Sequence, residues 1–166
     1  MSQRGFTLIE LILVLVITGI LLSVGTLNFT DWVRKTHIEK QTREFLSDLN
    51  TARSESIFRK MRHSIVLNGN ATGYTFRRYS SENEDRSTGG TDIFTKPTSY
   101  QFSKEDGSSA ASRTFLFDVR GFASTISDTG TIRINPVNSG AAFDCVVIAT
   151  SRTNIGKMEG GSCVQK

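Results

Sequence analysis

Apolar and polar residues are distributed very unevenly along this chain. From Leu11 to Val24 the sequence reads LILVLVITGILLSV without a charge, whereas the residues from Thr30 onward are polar, basic and rich in Gly, Ser and Thr. The first stretch is hydrophobic in every direction, the pattern of a helix that needs lipid or sister helices around it. Beyond Thr30 the pattern narrows to one stripe. Ile38, Phe45, Leu49 and Ala52, followed by Ile57, Phe58 and Met61, recur at helical spacings and predict an amphipathic segment. Neither Pro97 nor Pro136 interrupts it, so one helix is expected from about Phe6 to about Arg62. Its polar face carries acid-first i,i+4 pairs, Asp31 with Lys35, Glu39 with Arg43 and Glu55 with Arg59, each worth a few tenths of a kcal/mol.

The remainder reads as β structure. Short runs rich in Val, Ile, Phe and Thr predict strands over Ser64 to Leu67, Gly73 to Tyr79, Ser99 to Phe102, Thr114 to Phe117, Gly130 to Ile134 and Phe143 to Thr150, separated by Gly, Asn, Ser and Asp turns. Ser80 to Thr91, SSENEDRSTGGT, is too polar to pack and is expected as an exposed loop. The fold class predicted is α+β: a long amino-terminal helix, one half apolar all round and one half amphipathic, with antiparallel sheets packed on the amphipathic half.

Composition narrows the class. The 166 residues and 18.3 kDa suit one domain with an appendage. The counts of 14 Gly, 2 Pro and 2 Cys exclude collagen-like and disulfide-dense chains. Only one stretch approaches the ~18 apolar residues of a membrane span, which excludes a multispan protein. Nucleophile-elbow, zinc-protease and phosphate-loop motifs are absent from the sequence, so neither an enzyme nor a cofactor is expected. No metal is expected either, because Cys145 and Cys163 lie far from His37 and His63.

Phe6 to Phe29 admits three readings: a cleaved secretory signal, an ordinary membrane anchor, and a membrane helix with a second use. A cleaved secretory signal accounts for Arg4 and the apolar run, but no A-x-A site follows. As a helix of ~1.5 Å rise per residue the segment is roughly 36 Å long, enough to cross a hydrocarbon core of ~30 Å as an anchor. An anchor alone leaves Glu10 unexplained, because an intramembrane carboxylate costs on the order of 2.5 kcal/mol or more and needs a partner.

The string Arg4, Gly5, Phe6, Thr7, Leu8, Ile9, Glu10, Leu11 resembles the class III signal of type IV pilins and type II secretion pseudopilins. That resemblance implies a leader of residues 1–5, cleavage between Gly5 and Phe6 by a prepilin peptidase, N-methylation of Phe6, a membrane and assembly helix over 6–29, an amphipathic helix over 30–62 and an antiparallel β domain over 63–166 whose carboxy-terminal tail is a disulfide loop. It also implies no catalysis by the chain itself. A cationic amine on Phe6 of one subunit and the Glu10 carboxylate of its neighbour would neutralise each other in apolar surroundings. Many pilins carry a proline early in this helix; here Gly19 and Gly25 stand in that region.

A narrower resemblance covers most of the chain. LNTARSESIFRKMRHSIVL, from Leu49 to Leu67, is similar to the A-R-S-E-A-I-x-R helix end and first strand of the GspH/FimT family of minor pilins and pseudopilins. Phe117-Asp118-Val119-Arg120-Gly121-Phe122-Ala123 and Gly130-Thr131-Ile132-Arg133-Ile134 resemble two later landmarks, and Asn28-Phe29-Thr30 resembles a FimU-like junction. The implied protein is a minor type IV pilin of the tip or initiating complex. It would cross the bacterial inner membrane once, with its globe in the periplasm, then enter a filament with other pilins. A minor pseudopilin of type II secretion is the alternative.

Export to an oxidising space makes a Cys145–Cys163 disulfide the expectation. A third reading is a DNA receptor for natural transformation, since some relatives bind DNA through a G-R-x-R-like motif. The nearest match here is Gly156-Lys157-Met158-Glu159, with Arg152 and Lys157 as the candidate contacts, and Glu159 would repel a phosphate. The net charge of +4, or +3 once Arg4 is removed, adds little to that reading.

Overall fold

The computed structural model describes residues 6–86 and 88–166, so Gly5 lies outside the described residues. Helix α1 runs unbroken from Leu8 to Arg59. It is the one long helix of an α+β, pilin-like arrangement. The chain divides in sequence, between Arg34 and Lys35, into two compact units.

In the first unit, the described apolar residues of α1 from Leu8 to Leu22 are at least half exposed. Among the described residues no helix is long and apolar enough to cross a membrane; the membrane reading of this segment therefore rests on its sequence.

The second unit begins with the rest of α1. Its buried face is Ile38, Gln41, Thr42, Phe45, Leu49, Ala52 and Ser56, the i, i+3, i+4, i+7 series of one helix side. Ile57, Phe58 and Met61, expected on that stripe, are exposed, Phe58 by 85%. The reason is angular: at ~100° per residue, nine residues carry Phe58 about 180° from Leu49, onto the opposite side. The helix stops where Lys60 adopts φ 54°, a left-handed cap without glycine.

Two antiparallel sheets complete the unit. Strands β1 (His63–Leu67), β2 (Gly73–Arg78), β3 (Thr91–Pro97) and β5 (Thr114–Phe117) form one, in the order β3-β2-β1-β5. Strands β4 (Phe102–Lys104), β6 (Gly130–Ile134), β7 (Cys145–Ile148), β8 (Thr153–Glu159) and β9 (Ser162–Gln165) form the other, in the order β4-β6-β7-β8-β9. One core joins them to the helix. Phe45 lies at its centre, with ring centroids 4.8 Å from Phe102, 5.3 Å from Tyr74 and 6.2 Å from Phe115. Ile65 and Phe117 reach it from the first sheet, Ile132, Val146 and Ile148 from the second.

Several elements differ from the sequence expectation. Ser99 to Phe102 is replaced by a strand starting at Phe102. Thr91, expected in the loop, opens β3, which is exposed along almost all its length and so lacks the alternation that marks a strand. The segment before it is held down: Arg62 donates to the carbonyls of Ser81 (3.1 Å) and Glu84, and Arg86 pairs with the fully buried Asp128. The carboxy-terminal tail is not a loop but the β8–β9 hairpin, turning on Gly160 and Gly161, both at positive φ. Of the expected helix pairs, Glu55 does meet Arg59. Glu39 instead accepts the Ala142 N–H at 2.8 Å, and Arg43 lies 5.1 Å over the Phe143 ring, so both hold a loop of the second sheet against the helix.

Candidate functional site

The start of α1 is organised by two side chains. Thr7 precedes the helix and Glu10 is its third residue. The Thr7 N–H donates to Glu10 Oε2 at 3.0 Å, the Thr7 hydroxyl donates to the same oxygen at 2.9 Å, and the Glu10 N–H donates to Thr7 Oγ1 at 3.3 Å. This is the reciprocal capping box of T-x-x-E, in which two otherwise orphaned backbone donors are satisfied at once. Thr7 was legible in T-L-I-E through that spacing, yet reading Glu10 only as a charge in search of an intermolecular partner passes over it. Within a single chain Glu10 already has a partner. Phe6 stands 86% exposed beside it. The arrangement offers a helix end, an acid and an apolar surface for association.

The landmark residues of the narrower resemblance form a second cluster, inside the second unit. Arg53 of α1 lies with its guanidinium carbon 5.1 Å from the Phe117 ring and donates to the Ala149 carbonyl at 3.4 Å. Gly121 packs against the same helix turn: at φ 81°, a Cβ there would fall 2.7 Å from Ile57 Cδ1 and 3.1 Å from Arg53 Cγ. Asp118 makes that turn by accepting the N–H groups of Arg120 at 2.9 Å and Phe122 at 2.8 Å. The A-R-S-E and F-D-x-R-G-F strings thus fit one another, joining the helix end to the β5 exit. Their role is architectural.

At the junction of α1 and β1, the His63 ring is buried with Nδ1 3.0 Å from the Met61 carbonyl and 3.5 Å from Ser56 Oγ. Burial pushes its pKa down despite the carbonyl contact.

The carboxy-terminal candidates are placed separately. Cys145 of β7 and Cys163 of β9 are disulfide-bonded, with Cα atoms 6.1 Å apart, across the intervening strand β8. The bridge passes Gly156, where a Cβ would lie 2.7 Å from Cys163 Sγ and 2.5 Å from the Val164 carbonyl oxygen. Gly156 is therefore explained by the disulfide rather than by a ligand. Arg152 is exposed in the β7–β8 turn, while Lys157 is half-buried on β8, five positions and roughly 17 Å along an extended chain. The structure does not bring them together. Nearby Asp144 is buried and accepts the Met158 N–H at 2.7 Å; burial raises its pKa.

Comparison with known proteins gives two matches. Residues 1–26 match the prokaryotic N-terminal methylation motif, and residues 41–152, more than half the chain, match the model of type II transport protein GspH. No curated protein and no solved structure matches. The methylation motif covers the capped helix start and most of its apolar run, and the GspH match covers the helix-and-sheet unit as far as the turn before β8, with its Arg53, Phe117 and Gly121 cluster. The chain is a minor pilin or pseudopilin, and it belongs to the GspH family.

Proposed function

We propose that this chain is a minor type IV pilin, cut between Gly5 and Phe6 and N-methylated on Phe6. Residues 6–29 hold it in the inner membrane, with the β domain in the periplasm, until it enters the tip or initiating complex of a filament and promotes its growth. The observation that carries this reading is the exposed, all-round apolar start of α1 with Glu10 as its one acid, in register with the methylation motif. Apolar surface of that extent is stable only when lipid or sister helices cover it. On assembly the Phe6 amine of one subunit draws on the Glu10 carboxylate of another, which Thr7 holds at the helix end.

Intact-protein mass spectrometry of material from peptidase-positive cells tests the processing step. A chain starting at Phe6 with one added methyl group is expected, and a chain starting at Met1 overturns it. Glu10→Gln is expected to leave cleavage intact and to reduce incorporation into filaments several-fold; normal incorporation contradicts the charge-pairing step.

A second reading, a minor pseudopilin of type II secretion, is favoured by the description of the family itself, a type II transport protein. Deletion of the gene separates the two: loss of surface pili with secretion intact supports the pilus, and the converse supports secretion. The DNA-receptor reading has less behind it, because Arg152 and Lys157 stand apart and Gly156 serves the disulfide.

A further inference from the structure

Phe29 and Trp32 form a stacked aromatic pair on α1, ring centroids 6.2 Å apart at 29°, and both are about 60% exposed, 62% and 61%. Their place in the sequence gives the pair a meaning. Glu10 and Asp31 bracket a run from Leu11 to Thr30 that contains no charged residue. Its 20 residues, at ~1.5 Å each, measure roughly 30 Å, the thickness of a bilayer's hydrocarbon core. The aromatic pair straddles the Asp31 end of that run, and Arg34 follows, 4.0 Å from Asp31. Phe6 flanks the Glu10 end. A tryptophan at the end of a charge-free span, next to charges, is the arrangement that settles at headgroup level, where the flat apolar indole and its polar N–H are both accommodated, with the phenylalanine stacked on it turned toward the acyl chains.

We infer that Phe29 and Trp32 are a lipid-interface anchor: in the stored subunit they lie among headgroups and upper acyl chains of the periplasmic leaflet and fix the depth of α1. This rests on the membrane-stored reading above. The indole ring sits at the leaflet boundary, the Phe29 ring one turn deeper against the chains, Asp31 at the headgroups beside the indole and Arg34 in the water beyond. Depth set at this end also fixes how far Glu10 stands from the opposite face, about 33 Å of helix away from Trp32.

Trp32 is the only tryptophan in the sequence, so its fluorescence reports this position alone. The full chain is reconstituted into phosphatidylcholine and phosphatidylglycerol vesicles, some carrying lipids brominated high on the acyl chain and others near its end. The expected result is co-flotation with vesicles, a blue-shifted emission and quenching about twofold stronger by the shallow bromines than by the deep ones. In the Phe29→Trp, Trp32→Phe double variant, which moves the probe one turn inward, the balance shifts toward the deep bromines. Co-flotation with Trp32 open to aqueous iodide and unquenched by either lipid, as when it packs on a sister subunit or in water, overturns the anchor and leaves the membrane reading standing. Stronger deep than shallow quenching of Trp32 overturns it too. Failure to co-float overturns the membrane-stored reading itself.

Discussion

The first and last turns of α1 are the same secondary structure under opposite constraints. Between Leu8 and Leu22 apolar residues point outward on every side and are at least half exposed, whereas from Ile38 to Ser56 one face is buried to within 7% and the other is polar. Backbone hydrogen bonding does not distinguish them; the arrangement of side chains does. A helix apolar all round has no preferred face and can be satisfied only by surroundings that are themselves apolar on all sides. The striped half needs one partner surface and has it, in the two sheets that close over Phe45. The first region is therefore built for an environment outside the chain, the second for one the chain supplies.

Deleting a large side chain in each region is the strongest way to break that contrast. Phe45 is fully buried against Tyr74, Phe102 and Phe115, and Phe45→Ala is expected to cost about 3–5 kcal/mol of unfolding free energy. Leu13 is 59% exposed, so Leu13→Ala is expected to stay within about 0.5 kcal/mol of the parent while weakening filament incorporation. Urea unfolding of the full chain in micelles, followed by far-UV circular dichroism, measures both. Equal shifts would show that the first region shares the second region's core.

The disulfide sharpens the comparison, because it staples the second region alone. Its 18-residue separation corresponds to about 3 kcal/mol of stabilisation through the unfolded state, and Cys145→Ala with Cys163→Ala is expected to lose that amount in the same urea experiment. Gly156→Ala is expected to cost about 1–3 kcal/mol by overpacking, and part of that cost survives without the bridge, since the Val164 carbonyl oxygen lies as close as the sulfur. If Gly156→Ala is neutral, the strand beneath the bridge has room that the geometry denies.

Legibility in the sequence follows the same division. The first region was readable from G-F-T-L-I-E and the uninterrupted apolar run, because its function needs composition more than geometry. In the second, β1, β2, β5, β6 and β7 were marked by β-branched and aromatic runs bounded by turns. Strand β3 was hidden because TDIFTKP is exposed on both faces and so has no alternation to read. Strand β8 was hidden by Gly156, which lowers strand propensity where the disulfide requires it. The Gly160-Gly161 pair signals a hairpin, but the four residues of β9 beyond it are too short and too exposed to mark a strand. Phe58 continues the apolar character of the helix but not its stripe, because at that position the helical angle has carried it away from the core. Among the site residues, Glu10 is evident as a lone acid, and its intrachain partner Thr7 is spelled by the T-x-x-E spacing that a search for an intermolecular partner passes over. The Arg53 and Gly121 cluster could not be inferred from two strings some sixty residues apart without a fold to join them.

The smallest effect tests where the second region ends. His63 closes the turn between α1 and β1, and burial lowers its folded pKa below the ordinary value of 6.5. The unfolded chain then takes up a proton as pH falls through about 6.5 while the folded chain does not, so unfolding gains protons and stability drops with acidification. The loss begins near the unfolded value and is complete below the folded one. Glu55 opposes this shift and Arg59 and Arg78 add to it, though each contributes less than burial. Asp144 acts with the opposite sign: burial raises its pKa above 3.8, so the folded state holds its proton longer, and acidification toward the carboxylate range recovers stability there. His63→Gln is therefore expected to flatten the decline in urea midpoint between neutral pH and pH values near 5.5 without changing the slope at lower pH, where Asp144 remains. An unchanged decline in that variant would mean that another group carries the titration and that the helix end is open to water, which would move the boundary of the buried region back toward Ala52.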